Sequence, residues 1–301
     1  MPRPSLALAL AIAVLAGCRH TPEATPSATV AQPAARVTTL LAADRAFAAQ
    51  AEGDLVETMA RMFDADVFLL AGAELVRGRD STVAALRRNP RNANARATWT
   101  PIRGGVSSDG TQGFTYGYLT VTAADGAELP GKYVAYWRDT PMGWRVVAYK
   151  RTGRAAGPVS LAPRPPSLPE PGLPARTDAE MVALEMELRA VEQAFSDRAQ
   201  REGLGPAFAA NGAPDAVNVG GPGDAEFRVG PAAIAEGVSA GVTPDVTLTW
   251  SADHVVAARS GDLAVNLGFI TVRQAGQSAA RRVPFLTVWR LTREGWRYVA
   301  E

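Results

Sequence analysis

The amino-acid sequence predicts an α+β protein built from two tandem copies of one domain. A tryptophan signature, Trp-Arg followed by Gly-Trp-Arg, occurs at residues 136–145 and again at 288–297. The spacing between the copies is nearly constant, since Trp99 and Trp250 are 151 residues apart. In each copy a helical pattern comes first and strand patterns follow, which is typical of α+β domains.

The N-terminal segment predicts a signal peptide at residues 1–17. Arg3 is followed by an uncharged run at 6–15, which is too short to span a bilayer as a helix. The run ends in Leu-Ala-Gly-Cys, which resembles the bacterial lipobox, and Cys18 is the only cysteine. We therefore expect lipidation of Cys18, because each buried CH₂ of a lipid chain contributes about 0.8 kcal/mol to anchoring. A plain secretory signal or a structural thiol are the alternatives.

The expected location is the cell envelope, with the lipid anchor in a membrane. Arg19 follows the cysteine in place of the Asp associated with inner-membrane retention, which favours the outer membrane, facing the periplasm. Thr, Pro, Ala and Ser dominate residues 18–35, which predicts a flexible tether. A proline-rich segment at 156–175 predicts the interdomain linker, so the domains are placed at 36–155 and 176–301.

The charge balance excludes nucleic acid as a partner. There are 31 basic and 30 acidic residues, and no basic run is interleaved with aromatic residues. Apolar residues make up 47% of the chain, which is typical of globular domains. Lys132 and Lys150 are the only lysines, and arginine supplies the remaining basic charge.

Each copy is predicted to begin with an amphipathic helix. Apolar residues recur at helical spacing from Val37 to Leu55 and from Met181 to Phe195. A short helix, a strand, a glycine and another short helix follow in each copy, with the first strands near 67–70 and 217–219.

The rest of each copy is predicted to be a four-stranded meander, because β-branched and aromatic runs alternate with Asp-Gly and Gly-Asp turns. The expected strands are residues 97–102, 113–122, 132–138, 144–150, 246–256, 263–272, 282–291 and 296–301.

The residues of these strands carry a resemblance to a known family. Trp250-Ser251, Gly268, Trp289-Arg290 and Gly295-Trp296-Arg297, together with Trp99-Thr100-Pro101 and Gly117-Tyr118, resemble the SnoaL-like branch of the nuclear transport factor 2-like superfamily, of the type called domain of unknown function 4440. The resemblance implies two tandem cystatin-like cone domains, each a curved antiparallel sheet wrapped around N-terminal helices and enclosing an apolar pocket. Members include isomerases, cyclases, dehydratases and pure binding domains, so the fold leaves function open.

Carboxylates are the main candidates for chemistry. Asp44 and Glu192 occupy the same place on the apolar stripe of the first helix of each copy, which predicts either a pocket acid or a buried pair with an arginine of the sheet. Asp66 and Asp215 match each other before the first strand, where catalytic relatives place a pocket acid; a turn residue is the alternative. His254 is the third catalytic candidate, and a structural strand histidine is its alternative.

Aromatic residues of the strands are candidates for lining a pocket with polar tips, although core packing explains them equally well. These candidates are Trp99, Tyr116, Tyr118, Tyr133 and Trp250. The final strand of the family often ends in Asp, whereas this sequence has Tyr149 in one copy and Glu301 in the other. No His/Cys cluster, Cys nucleophile or phosphate loop is found, so we expect neither a metal nor a cofactor.

Three hypotheses follow for the function. The first is binding of a small apolar ligand or a partner protein without catalysis, because neither copy contains an unambiguous catalytic constellation. The second is an isomerase, cyclase or dehydratase that uses Asp66, Asp215 or His254 as acid or base. The third is a structural scaffold in which the two domains pair with each other, or a homodimer forms, through the open sheet faces.

Overall fold

The computed structural model describes Met1 and residues 33–170, 176–240 and 242–301. The predicted signal peptide beyond Met1, Cys18 and nearly all of the tether lie outside the described residues, as does the end of the linker. None of the helices in the described part of the chain combines the length and apolar character needed to cross a membrane.

The first domain contains three helices and one six-stranded sheet. The helices are α1 (Pro33–Gln50), α2 (Leu55–Met62) and α3 (Arg79–Arg88), and a single 3-10 turn covers Pro90–Asn92. The strands are β1 (Phe63–Ala71), β2 (Glu74–Arg77), β3 (Arg96–Val106), β4 (Gln112–Thr122), β5 (Glu128–Thr140) and β6 (Gly143–Gly153).

The second domain repeats these elements in the same order. Its helices are α4 (Asp178–Glu202), α5 (Leu204–Asn211) and α6 (Pro231–Ser239). Its strands are β7 (Gly212–Asn218), β8 (Arg228–Val229), β9 (Val246–Ala257), β10 (Leu263–Gln274), β11 (Arg281–Thr292) and β12 (Gly295–Ala300). A capping box starts α4, in which the Thr177 hydroxyl accepts from the Glu180 N–H while the Glu180 carboxylate accepts from the Thr177 N–H.

The two sheets have the same strand order, β2-β1-β6-β5-β4-β3 and β8-β7-β12-β11-β10-β9. The predicted fold class, α+β with two tandem domains, is therefore confirmed. The sheets are mixed rather than wholly antiparallel, because the first hairpin of each domain docks alongside the last strand: β1 runs parallel to β6, and β7 parallel to β12.

The glycine that the two copies share, Gly117 on β4 and Gly268 on β10, has a structural reason. A Cβ atom on Gly117 would lie 2.0 Å from the carbonyl oxygen of Thr100, and one on Gly268 would lie 2.1 Å from that of Ser251. Both glycines sit beside a register shift between the outer two strands of the meander. Only glycine permits this close approach of the backbones, so both copies retain it.

The outer faces of the two sheets pack against each other. One buried apolar cluster joins Tyr116, Tyr118 and Val134 of the first domain to Leu286 and Val288 of the second. Phe227 lies between Tyr116 and Tyr118, with ring centroids 4.9 and 5.1 Å away. The faces that an isolated sheet would expose to water are thus buried between the domains.

Equivalent loops of the two domains also bind each other reciprocally. The Ser108 N–H donates to both carboxylate oxygens of Asp262 at 3.1 Å, and the Ser260 N–H donates to Asp109 Oδ2 at 2.9 Å. The strands show the same reciprocity, because Arg103 of β3 pairs with Asp215 of β7 while His254 of β9 packs against Phe68 of β1. Such an exchange between equivalent elements is the signature of a two-fold axis. The two domains are therefore related by pseudo-two-fold symmetry.

Two buried arginines complete the interface. Arg103 donates to the backbone oxygens of Pro165 and Asp215 and pairs with the Asp215 carboxylate. Arg290 donates to the backbone oxygens of Val106 and Ser167. Because Pro165 and Ser167 belong to the proline-rich segment, this part of the linker runs along the domain interface, where the Ser167 N–H also donates to the Gly104 carbonyl at 3.0 Å.

Candidate functional site

The second domain contains a mostly apolar cavity of about 230 Å³ between its helices and the inner face of its sheet. Four of its wall residues are aromatic, namely Phe195, Phe208, Trp250 and Phe285. The polar residues that reach it are Glu192, Asn218, Thr287, Glu301 and, from the last strand of the first domain, Lys150. A mostly apolar cavity on which a few polar side chains converge is typical of a small-molecule site.

Glu192 lies at the centre of a hydrogen-bond cage on α4. Trp250 Nε1 donates to Oε1 at 3.0 Å, while Trp289 Nε1 and Asn266 Nδ2 donate to Oε2 at 2.8 and 3.0 Å. The side chain is fully buried, and burial raises the pKa of this carboxyl to about 7 against the effect of the three donors. Glu192 therefore changes protonation state near neutral pH.

The first domain contains a matching cage around the equivalent acid, Asp44. Asp44 occupies the position of Glu192, and it accepts from Trp99 Nε1 at 2.7 Å and from the Tyr133 hydroxyl at 2.8 Å. Burial raises the pKa of Asp44 as well. The partners in both domains are indole, phenol or amide groups rather than the arginine of the sheet that was one of the two alternatives from the sequence. Because Asp44 lies in a packed core, the acid of the first helix primarily ties helix to sheet.

The second polar group of the cavity has no counterpart in the first domain. Asn218 Nδ2 donates to Glu301 Oε1 at 2.9 Å. The equivalent residues are Leu69 and Tyr149, which are paired on neighbouring strands. The apolar pair of one copy is thus a polar pair in the other.

Tyr149 helps to fill the interior of the first domain. Its ring lies 5.9 Å from that of Phe63 and 6.2 Å from that of Tyr133. In the second domain Phe63 is replaced by Gly212 and Tyr149 by Glu301, both of which are smaller. Glu301 lines the cavity, whereas the space beside Gly212 is taken by the ring of Tyr298, where the first domain has Val146. The loss of the Tyr149 ring therefore leaves room for the cavity.

The charges of Lys150 and Glu301 influence each other across the domain boundary. Burial lowers the pKa of Lys150, and the Glu301 carboxylate opposes that shift. Burial raises the pKa of Glu301 to about 7, although Asn218 and Lys150 both favour its ionised form. Loss of water thus favours the neutral form of both groups.

The three catalytic candidates lie away from this cavity. Asp66 is exposed on β1, and Asp215 is exposed at the interface, where it pairs with Arg103. His254 packs against Phe68 of the other domain, with ring centroids 4.8 Å apart. The structure therefore does not bring these residues together. Asp66 and Asp215 lie within strands rather than in the turns that were their alternative, whereas His254 matches its alternative of a structural strand histidine.

The seven predicted pocket residues divide among three places. Glu192 and Trp250 line the cavity. Trp99 and Tyr133 both donate to Asp44 inside the first domain. Tyr116 and Tyr118 lie between the domains, because their side chains project from the outer face of β4. The strand pattern alone could not assign a face, since both faces of this sheet are buried.

The sequence interpretation missed Lys150, Asn218 and Thr287 as cavity residues and left Glu301 without a role. One sequence signal does mark three of these four residues: Leu69, Ala135 and Tyr149 of the first copy become Asn218, Thr287 and Glu301 in the second. Within the three described ranges, no group of three or more His, Cys, Asp or Glu side chains has the arrangement of a metal site.

No family model matches the sequence, and no curated protein matches it. Solved structures with a cystatin-like fold are similar to parts of the chain. A domain of unknown function from Nostoc punctiforme is 27% identical, with 41% of this chain and 75% of that chain covered and a TM-score of 0.34.

Two further structures show similarity of the same extent. A nuclear transport factor 2-like protein with a cystatin-like fold from Novosphingobium aromaticivorans is 20% identical, with 39% of this chain and 85% of that chain covered and a TM-score of 0.31. An uncharacterised protein with a cystatin-like fold from Caulobacter vibrioides is 15% identical, with 39% and 89% covered and a TM-score of 0.32. Each similarity spans about the length of one domain.

Proposed function

We propose that the second domain binds a small, largely apolar molecule without turnover, and that the first domain acts as a rigid partner contributing Lys150. The observation that carries this proposal is the difference between the copies. Where the first domain packs Leu69 and Tyr149, the second has a cavity with Asn218 and Glu301 at its wall. Apolar walls supply affinity and a few polar groups supply orientation.

The absence of turnover is supported by the placement of the acid and base candidates. Asp66 and Asp215 are exposed, and His254 faces the other domain. Both oxygens of Glu192 are held by donors of the protein itself. A carboxylate anchored in this way serves structure in the first domain, where Asp44 has the same role.

The test converts the second cavity into the packed interior of the first. The double variant Asn218→Leu/Glu301→Tyr introduces the first-domain residues at both positions. We expect benzyl alcohol to quench tryptophan fluorescence in the wild-type protein, because Trp250 lines the cavity, and we expect the double variant to lose this response. The variant should unfold at the same or a higher temperature, since filling a cavity adds contacts.

Asp66→Asn is the matched control, because this exposed carboxylate lies outside the cavity, and it should bind benzyl alcohol as the wild type does. Retained quenching in the double variant would place the binding elsewhere. A wild-type protein that responds to neither benzyl alcohol nor toluene would leave only the structural scaffold, in which the paired domains themselves are the function.

A second candidate function is proton transfer to or from the bound molecule. It is favoured by one observation, a Glu301 carboxyl in an apolar cavity with a pKa of about 7, which suits a general acid or base. In this form of the isomerase or dehydratase hypothesis, the general acid or base is Glu301 instead of Asp66, Asp215 or His254.

We also propose that the protein is a lipoprotein of the cell envelope, anchored through Cys18. The support is the sequence alone: an apolar run followed by Leu-Ala-Gly-Cys. Mass spectrometry of the protein from membranes of its own cells should find an N-terminal acylated Cys18, and Cys18→Ser should release the protein from the membrane. An unmodified cysteine in the mature protein contradicts the anchor.

A further inference from the structure

We propose that Lys150 captures small apolar aldehydes covalently, as an imine, with Glu301 as the proton donor and acceptor. This inference rests on the proposed function, because the aldehyde must first enter the cavity of the second domain. It adds a substrate class and a covalent step that binding alone does not require. Four features of the structure support it.

The two lysines of the chain differ in how their amines are held. Lys132 is fully buried, and its Nζ donates to the backbone oxygens of Asp224 and Glu226 at 2.9 and 3.0 Å. Lys150 is half-buried and lines the cavity. Over the ranges that the structure describes, its Nζ donates no hydrogen bond and lies in no ion pair within 4.0 Å. The amine of Lys150 is therefore available to a bound molecule.

The surroundings of Lys150 favour the reactive form of the amine. A nucleophilic lysine must be neutral, and desolvation in an apolar site is a usual way to achieve this. Burial lowers the pKa of Lys150, in agreement with its position at an apolar wall. Phe285, Leu286 and Ile270 contribute to that wall.

Glu301 supplies the acid and base that imine formation needs. The amine nitrogen attacks the carbonyl carbon, so that the C–N bond forms while the C=O π bond breaks and the oxygen takes a proton. The nitrogen then loses a proton to give a neutral carbinolamine. The hydroxyl group takes a proton and leaves as water while the nitrogen lone pair forms the C=N bond, and the nitrogen finally loses its second proton. Glu301 has a pKa of about 7, which allows it to give and take these protons near neutral pH. The sum is amine plus aldehyde to imine plus water, with no oxidant or reductant.

The size and lining of the cavity define the substrate class. An apolar cavity of about 150 Å³ can hold benzene, and the cavity here is about 230 Å³. Phe195, Phe208 and Trp250 offer aromatic surfaces to a ring. A small aromatic or aliphatic aldehyde fits these walls with its carbonyl group at the polar end near Lys150.

The experiment compares benzaldehyde with benzyl alcohol, which has the same ring without the carbonyl group. The full-length protein is incubated with benzaldehyde and cyanoborohydride, which reduces an imine to a stable secondary amine. Peptide mapping by mass spectrometry should find one benzyl group on Lys150 and none on Lys132. The wild-type protein contains both the test lysine and its internal control, so this result does not depend on the folding of a variant.

Two variants extend the test. Lys150→Arg keeps the positive charge and should lose the adduct. Glu301→Gln should keep Lys150 and form the adduct more slowly, because the proton donor is gone. Unfolding temperatures close to that of the wild type would show that both variants are folded, and that the loss of the adduct comes from the missing chemical group.

The possible results separate the two proposals. Benzyl alcohol binding without a trapped adduct at Lys150 overturns the covalent step and leaves the proposed function intact. An adduct confined to Lys132 or to the amino terminus also overturns it. If neither compound binds, the proposed binding function fails as well.

Discussion

Arg290→Ala is expected to lower the free energy of unfolding by about 3–5 kcal/mol, the usual effect of leaving a buried charge without its partner. Arg290 Nη1 lies 3.7 Å from Oδ2 of Asp262, and both side chains are buried. Its Nε also donates to Ser167 Oγ at 3.0 Å, and its Nη2 to the Val106 oxygen at 3.0 Å. Removing the guanidinium leaves Asp262 and two backbone oxygens without this partner inside the interface.

Arg138→Ala is the matched control, since Arg138 occupies the equivalent place in the first domain. It is half-exposed and lies 3.6 Å from Asp64, so its removal should change stability by less than about 1 kcal/mol. Urea unfolding of the two variants measures the difference. Equal stability of the two variants would mean that the buried pair adds nothing to holding the domains together.

The second large effect is a fall in stability as pH rises toward neutrality. The pKa of Glu192 is about 7 in the folded protein against 4.5 for an ordinary glutamate. The folded state therefore holds this proton more tightly than the unfolded state does. The stabilisation is fully present below pH 4.5 and is lost as pH rises through about 7. A shift of this size corresponds to about 3 kcal/mol.

Glu192→Gln should remove this part of the pH dependence, so that the wild type loses about 3 kcal/mol relative to the variant between pH 4.5 and pH 8. Glu187→Gln is the matched control: Glu187 accepts from Trp296 Nε1 at 2.8 Å on the same helix, but it is exposed to water. Urea unfolding across this pH range measures the effect. Parallel pH curves for the wild type and Glu192→Gln would contradict it.

The sequence predicted the fold well because the repeat provides two independent copies of every pattern. The amphipathic first helices, the meander and the glycine pair Gly117 and Gly268 are all found where both copies agreed. The parallel pairing of β1 with β6 was not predicted. This pairing depends on the position of the β1–β2 hairpin beside β6, and a short stretch of sequence contains no information about that position.

The site was predicted only in part, for physical reasons that differ between residues. Glu192 and Trp250 were found because a buried acid and an indole at matched positions stand out in an apolar pattern. Tyr116 and Tyr118 were misplaced because period-2 alternation does not say which sheet face meets a helix and which meets the other domain. Lys150 could not be found, since its place in the cavity depends on how the two domains pack.

The pseudo-two-fold axis has a consequence for how such a cavity can arise. In a dimer of identical subunits, every substitution is made twice, once on each side of the axis. Here the two halves are one chain, so Tyr149 and Glu301 can differ although they occupy equivalent positions. One half keeps its aromatic filling and supports the interface, while the other half gives up packing for a cavity. Because the two domains are parts of one chain, a substitution in one domain leaves the equivalent position of the other domain unchanged.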